Sequence, residues 1–373
     1  MRDISLYIHI PFCIKKCLYC DFNSFSDKNG YFEKYKNSLL SEINNFEKAQ
    51  GLKVNTIFIG GGTPSLLPSS FIYEILDALG EKFYIEKNAE ISIEANPGTA
   101  DFNKFSEYRK SGVNRLSIGV QAVQDKILKI LGRVYDKAQF LKSVEFAKRA
   151  GFENINFDLM FAIPGQSFYD WEETLKTAVY LNPSHLSVYS LIIEEGTPFY
   201  DMMKKGELSV VSDENDRKMY YMAKDILKQS GYIQYEISNF AKKGAECRHN
   251  IVYWKRKEYI GFGLGACSFF EGKRFHNNVD IDEYINGRVF GENEDFSEDD
   301  AFAEFMFLGL RMNRGISEKE FYDYFNVHLY DIFGDEIERN IKRGLIEKKD
   351  GRICLSEKGF DLSNIVFTEF LRG

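Results

Sequence analysis

Three cysteines near the start of the chain, Cys13, Cys17 and Cys20, fall within eight residues at C-x3-C-x2-C spacing. Thiolates this close on one loop can converge on a soft metal centre. A four-thiolate zinc or iron–sulfur site needs a fourth ligand, yet the next cysteine is Cys247 and nothing pairs it with the first three. Three protein ligands imply an open position, and an open position means chemistry or ligand exchange. A 4Fe–4S cluster with one iron left free fits this count better than zinc. The competing account, three unrelated core thiols, gives no reason for clustering directly after a strand.

The elements that hold this loop follow from the hydrophobic pattern. Ile4–Ile10 reads as a strand, with Tyr7 and His9 on one face and Ile4, Leu6, Ile8 and Ile10 on the other. A helical pattern over 31–50 follows, and then strand and helix alternate. Further strands are expected at Val54–Ile59, Glu90–Glu94, Arg115–Val120, Ile155–Phe161 and His185–Leu191. Six such alternations predict an α/β fold with a parallel sheet and right-handed crossovers, an open or partial (β/α)6 TIM-like barrel in preference to a doubly wound sheet. The cysteine loop, Gly60-Gly61-Gly62-Thr63-Pro64-Ser65, Glu94, Asn96, Gln121, Asp158 and Ser190 fall at or near the C-terminal ends of their strands. In a parallel α/β fold those ends share the rim where ligands bind.

After Thr197 the rhythm changes. A helix is expected over 213–229, a strand over Ile233–Phe240, and then the segment Cys247-Arg248-His249-Asn250-Ile251-Val252-Tyr253-Trp254. Gly261-Phe262-Gly263-Leu264-Gly265 only loosely resembles a phosphate loop, without the strand–helix context one requires. The acidic stretch 292–300 reads as a linker. Helices beyond it and a hairpin around Asp350-Gly351 predict a small winged-helix-like α+β domain. The expected units are 1–231 (partial barrel), 232–296 (flanking and linker region) and 297–373 (C-terminal domain).

Composition narrows the class. With 373 residues, 44% hydrophobic and 28% charged, the chain reads as an ordinary globular protein. A net charge of −8 argues against general nucleic-acid binding. No apolar run reaches membrane-spanning length, and the first strand is too short and too polar-flanked for a signal peptide. Six cysteines outside any disulfide framework point to a reducing cytoplasm.

The cysteine spacing, the Gly60–Ser65 segment after the second strand and Tyr7-Ile8-His9-Ile10-Pro11-Phe12-Cys13 together resemble the radical S-adenosylmethionine (SAM) proteins, within the group similar to oxygen-independent coproporphyrinogen III oxidase. The resemblance runs nearly the whole length. It implies a 4Fe–4S cluster on Cys13, Cys17 and Cys20, with SAM chelating the fourth iron. It further implies Tyr7 near the SAM carboxylate, Gly61, Gly62 and Thr63 at its amino group, and Glu94 and Gln121 at its ribose. Arg133 would stand near the carboxylate, with Asp158 as a further pocket residue.

Two departures separate this chain from the oxidase. Phe22 stands where the oxidase has a further cysteine, and only twelve residues precede Cys13, so the oxidase's N-terminal extension is missing. With His249-Asn250-x-x-Tyr253-Trp254, both departures resemble the HemW-type, heme chaperone branch, whose H-N-x-x-Y-W motif is associated with heme binding. His249 could ligate iron axially, and Tyr253 and Trp254 could cover a porphyrin, although a lone histidine is more often a structural hydrogen-bonding residue. The implied function is binding of heme and its transfer to acceptor hemoproteins, membrane-associated ones among them; a homodimer is left open. The alternatives are oxidative decarboxylation of coproporphyrinogen III and another radical SAM reaction such as methyl transfer.

Overall fold

Strands and helices alternate through the first half of the chain: β1 (Arg2–Ile10), β2 (Leu52–Gly61), β3 (Tyr84–Ala95), β4 (Arg115–Gln121), β5 (Asn154–Phe161) and β6 (His185–Ser190). The structure, a computed structural model, describes residues 1–371; the last two residues of the expected C-terminal unit lie outside the described residues. These six strands pair in parallel in sequence order, as the alternation predicted. Their outward residues, such as Ile4, Leu6, Ile8, Ile57 and Ile59, join one core with Tyr35, Leu39 and Ile43 of the Phe32–Asn45 helix and Ile72, Ile75 and Leu79 of the Ser69–Lys82 helix. Local signals set the helix ends. Asp136 starts the Lys137–Arg149 helix through a capping box with Gln139, and Gly151 beyond it takes φ +85°.

The sheet continues past both edges of the parallel block. At one edge β7 (Ile233–Gln234) pairs with β8 (Asn239–Ala241), which lies antiparallel to β6. At the other, β9 (Tyr259–Phe262) runs parallel to β1 and is followed outward by β10 (Cys267–Phe270), β11 (Lys273–Asn277) and β12 (Phe290–Glu294), all antiparallel. The result is one twelve-stranded sheet with β12 and β7 as its ends.

Two local expectations change. The strand expected over Ile233–Phe240 is a tight pair of short strands. Glu236 between them turns its buried carboxylate back, accepting from Ser238 N at 2.9 Å and Asn239 Nδ2 at 2.5 Å. The acidic stretch 292–300 is not irregular either. Glu292–Glu294 pair with β11, and Ser297 caps the Glu298–Leu310 helix. The glycine-rich piece ends β9 and turns into β10 with no helix after it, so it lacks the architecture of a phosphate site.

Beyond 297, three main helices (Glu298–Leu310, Glu318–Phe325 and Leu329–Lys342) pack with a three-stranded antiparallel sheet of β13 (Ile316–Ser317), β14 (Ile346–Lys349) and β15 (Arg352–Leu355). Asp350 and Gly351 make the hairpin turn with φ values of 50° and 71°, the positive pair a two-residue turn requires. This part has its own core around Met306, Phe321, Phe333 and Ile337. It meets the main sheet through a buried ion network, in which Glu304 takes Arg256 Nε at 2.7 Å and also contacts Arg274.

Candidate functional site

The cysteine loop leaves the end of β1 and is pinned at its neck. Phe25 N–H donates to Pro11 O at 2.7 Å and Cys13 N–H to Phe25 O at 2.9 Å. His9 holds the return limb, its Nε2–H donating to Asn23 O at 2.9 Å while Nδ1 accepts from the Tyr7 hydroxyl at 2.9 Å. Cys13, Cys17 and Cys20 are free, partly exposed thiols lining one cavity of about 360 Å³. Among the described residues no three His, Cys, Asp or Glu side chains meet closely enough to hold a single metal ion. Three thiols lining one cavity fit a 4Fe–4S cluster, which takes one thiolate per iron and would leave one iron open.

The same cavity collects the other rim residues: Gly61, Gly62, Thr63, Glu94, Asn96, Gln121, Arg133 and Asp158 all line it. Tyr7 does not; its hydroxyl is spent on His9. Ser190 turns away to contact Asp216. The glycines serve the fold before any ligand. A Cβ on Gly62 would stand 2.7 Å from Phe12 O, and one on Gly61, at φ +112°, would stand 2.6 Å from the His9 ring. Their amides are taken as well: Gly61 N–H donates to Glu94 Oε2, Gly62 N–H to Ile10 O and Thr63 N–H to Phe12 O.

The polar groups of the cavity are electrostatically prepared. Burial, reinforced by the Asp158 charge, pushes the Glu94 carboxyl up to about 8. Burial also raises Asp158, against hydrogen bonds from Asn156 Nδ2 at 2.8 Å and Ser117 Oγ at 3.0 Å. Gln121 holds a left-handed φ of 61° at a register shift between β4 and β5, and its side chain makes no hydrogen bond among the described residues. A strained backbone of this kind aims a side chain at a site. Arg133 donates to Asn96 Oδ1 at 3.0 Å and to the Tyr19 hydroxyl at 2.5 Å, and its buried Nε–H has no partner. Such an unsatisfied donor at the cavity fits a carboxylate-bearing ligand such as SAM.

The H-N-x-x-Y-W residues lie elsewhere, on the short Arg248–Trp254 helix. Glu90 receives the start of that helix, and it precedes Glu94 by four residues on β3, roughly 13 Å along the strand. His249 is 1% exposed and both ring nitrogens are engaged, Nδ1 with Thr56 Oγ1 at 2.7 Å and Nε2 with the Tyr253 hydroxyl at 2.8 Å. Thr56 gives its own proton to Ser5, so Nδ1 carries the imidazole hydrogen and the Nε2 lone pair faces Tyr253. Burial, with the Arg115 charge second, lowers the His249 pKa to about 3 and keeps the ring neutral. Trp254 lies under the Arg311 guanidinium, 4.4 Å from its ring centre, so the C-terminal domain covers one indole face. Asn250 makes no side-chain hydrogen bond among the described residues.

Between the cavity and this helix lies a polar layer that strand-end reasoning overlooks. Arg115 is 2% exposed and its buried Nε–H has no partner among the described residues; Ser92, its register partner on β3, has an unpartnered hydroxyl. Asn156 below Asp158 ties Ser117, His185 and Ser187 together. The signal was present as a period of two inside the strands: Glu90-x-Ser92-x-Glu94, Arg115-x-Ser117-x-Gly119, Asn156-x-Asp158 and His185-x-Ser187.

Comparison with known proteins agrees with this architecture. Residues 7–178 match the Radical SAM superfamily and residues 296–362 the HemN C-terminal domain. The chain is 38% identical to a heme chaperone HemW of Bacillus subtilis (strain 168), over 98% of this chain and 99% of the relative. It is 35% identical to that of Escherichia coli (strain K12), over 100% and 99%. Among solved structures, coproporphyrinogen III oxidase (HemN) from Escherichia coli superposes with a TM-score of 0.85 at 24% identity, over 99% of this chain and 90% of that one, which is likeness of fold. A cysteine-lined cavity on a parallel α/β sheet and full-length likeness above one third identity place this chain in the HemW heme chaperone family of the radical SAM superfamily.

Proposed function

We propose that the protein binds heme and hands it to acceptor hemoproteins, carrying a 4Fe–4S cluster on Cys13, Cys17 and Cys20 with SAM beside it. The observation that carries this reading is the full-length likeness to relatives named heme chaperones. Such a cluster with SAM on its open iron supplies one-electron chemistry or a structural switch; the chain supplies the rest. Arg133 Nε–H, left without a partner, offers a donor to the SAM carboxylate. Glu94, Gln121 and Asp158 line the cavity where vicinal hydroxyls could be bound. Heme would be held at the Arg248–Trp254 helix with His249 as axial ligand through Nε2. That role requires the ring to give up Tyr253, because the lone pair iron needs is the one Tyr253 occupies. Acceptor hemoproteins, in the membrane or outside it, would take heme from there in the cytoplasm. Among the described residues no helix is long and apolar enough to cross a membrane.

The deciding experiment is a paired assay. Anaerobic incubation of cluster-loaded protein with coproporphyrinogen III, reductant and SAM should leave the porphyrinogen unchanged, while hemin should bind and pass to an apo-hemoprotein. Clean conversion to protoporphyrinogen IX would replace the chaperone reading with oxidative decarboxylation.

A further inference from the structure

The stretch from Leu131 to Tyr135 grips the cysteine loop from across the cavity. Leu18 donates its N–H to Leu131 O at 3.1 Å, and its carbonyl accepts from Phe199 N–H at 2.9 Å. At Gly132, φ +79°, a Cβ would stand 3.0 Å from Leu18 Cγ, so the two segments touch. Next to this contact Arg133 reaches under the loop to Tyr19, which sits between Cys17 and Cys20. The guanidinium lies 5.7 Å from the ring centres of both Tyr19 and Tyr135. Tyr135 is itself fixed by donating to Gly119 O at 2.6 Å and Val120 O at 3.1 Å.

The charge so held is unusual in what it lacks. Among the described residues no carboxylate lies within ion-pair distance of Arg133; its side-chain partners are an amide oxygen and a phenol. Lys15 and Lys16 on the loop are exposed, where water and salt weaken their fields. Arg133 is therefore the cation best placed to act on negative charge accumulating at the three sulfurs.

We propose that Arg133 raises the reduction potential of the centre held by Cys13, Cys17 and Cys20, and that Tyr19 is the positioning residue that aims it. The proposal rests on the cluster assignment above. Reduction adds one electron, drawn from an external one-electron reductant, to a centre already bound by three thiolates. A half-buried guanidinium with no carboxylate to neutralise it stabilises the more negative state, and net charge and hydrogen bonding are the levers that set such potentials.

The test is an anaerobic redox titration of the cluster-loaded full chain without SAM, followed by electron paramagnetic resonance, using sodium dithionite and mediators. Arg133→Met should move the midpoint to more negative potential, Arg133→Lys should keep most of the unmodified value, and Tyr19→Phe should shift it in the same direction as Arg133→Met by less. A loaded Arg133→Met protein with an unchanged midpoint would overturn the proposal. Should Arg133→Met fail to load, Tyr19→Phe decides, and an unchanged midpoint there overturns it equally. Failure of the unmodified protein to take up any cluster would instead remove the cofactor assignment, and the proposal with it.

Discussion

Glu90 on β3 caps the helix that carries His249. Its Oε1 accepts the His249 backbone N–H at 3.1 Å and its Oε2 that of Arg248 at 3.2 Å. Cys247, at the capping position, makes no side-chain cap hydrogen bond of its own, so a carboxylate remote in sequence does the work a serine or aspartate does elsewhere. The barrel interior and the motif helix are thus one construction, and the loss of a strand residue should be felt by a helix more than 150 positions away.

Replacing Glu90 with Ala should cost about 1–3 kcal/mol, because the buried N–H of His249 and the half-buried one of Arg248 lose their acceptor. Urea unfolding measures the loss, and hemin affinity should fall with it. Glu90→Gln, which keeps one acceptor oxygen, should fall between the two. Unchanged stability in Glu90→Ala would mean that the helix is held by its packing alone.

How far the sequence foretold this arrangement differs by element. The six parallel strands were legible because apolar outward residues alternate with polar inward ones and glycines mark the returns. The cavity wall was legible because strand ends in such folds share a rim. The cap was not legible, since nothing near Cys247 announces a partner at position 90. The close approach of the Phe12 backbone to Gly62, which leaves no space for a Cβ there, was not legible either. Pairings between distant segments are decided by register, which local pattern does not contain.

The cluster assignment makes a sharp prediction. Anaerobic reconstitution should give one 4Fe–4S cluster, and Cys13→Ala, Cys17→Ala or Cys20→Ala should each abolish it, because a methyl group cannot ligate iron. Cys247→Ala and Cys267→Ala should keep it, since Cys247 is buried beside Glu90 and Cys267 lies on β10. Iron and sulfide analysis with the visible spectrum is the measurement. Loss in either of the last two variants would move the ligand set.

Gly62→Ala should weaken the loop before it weakens any ligand. The added Cβ forces apart β2 and the Phe12 backbone, so cluster-free protein should already lose thermal stability, by about 1–3 kcal/mol. If instead stability holds and only SAM binding falls in a cluster-loaded sample, the glycine is there for the ligand.

Glu94 should leave a signature in the pH dependence of stability. Its carboxyl titrates near 8 in the folded chain against 4.5 as its ordinary value. A group raised on folding stabilises fully below its unfolded value, and that contribution fades as pH rises through the folded one. Glu94→Gln mimics the protonated form, so its advantage over the unmodified chain should grow between about pH 4.5 and 8, by at most roughly 1.4 kcal/mol per pH unit. Melting temperatures across that window test this, with cluster-free protein as the sample. Parallel curves for the two proteins would show that Glu94 is already ionised when folded.

The heme assignment turns on a single lone pair. Hemin added to the purified protein should give a Soret band at about one heme per chain, and His249→Ala should shift or weaken it. The geometry adds a second variant with the opposite sign. Tyr253 gives its hydroxyl proton to Nε2, the atom iron would need, so Tyr253→Phe removes a competitor worth about 1 kcal/mol and should tighten hemin binding about fivefold. If Tyr253 served chiefly as porphyrin-covering surface, the phenylalanine would bind equally well and no tighter. Were His249 only a structural residue, His249→Ala would lower the melting temperature and leave the heme spectrum untouched, while SAM binding by that variant reports whether the barrel survives. An unaltered spectrum would direct attention to His276, whose Nδ1 is paired with Asn277 O at 2.8 Å and whose Nε2 makes no hydrogen bond among the described residues, ahead of Cys247 and of His185, both of whose nitrogens are taken. Absence of any hemin binding by the unmodified protein would remove the chaperone reading altogether.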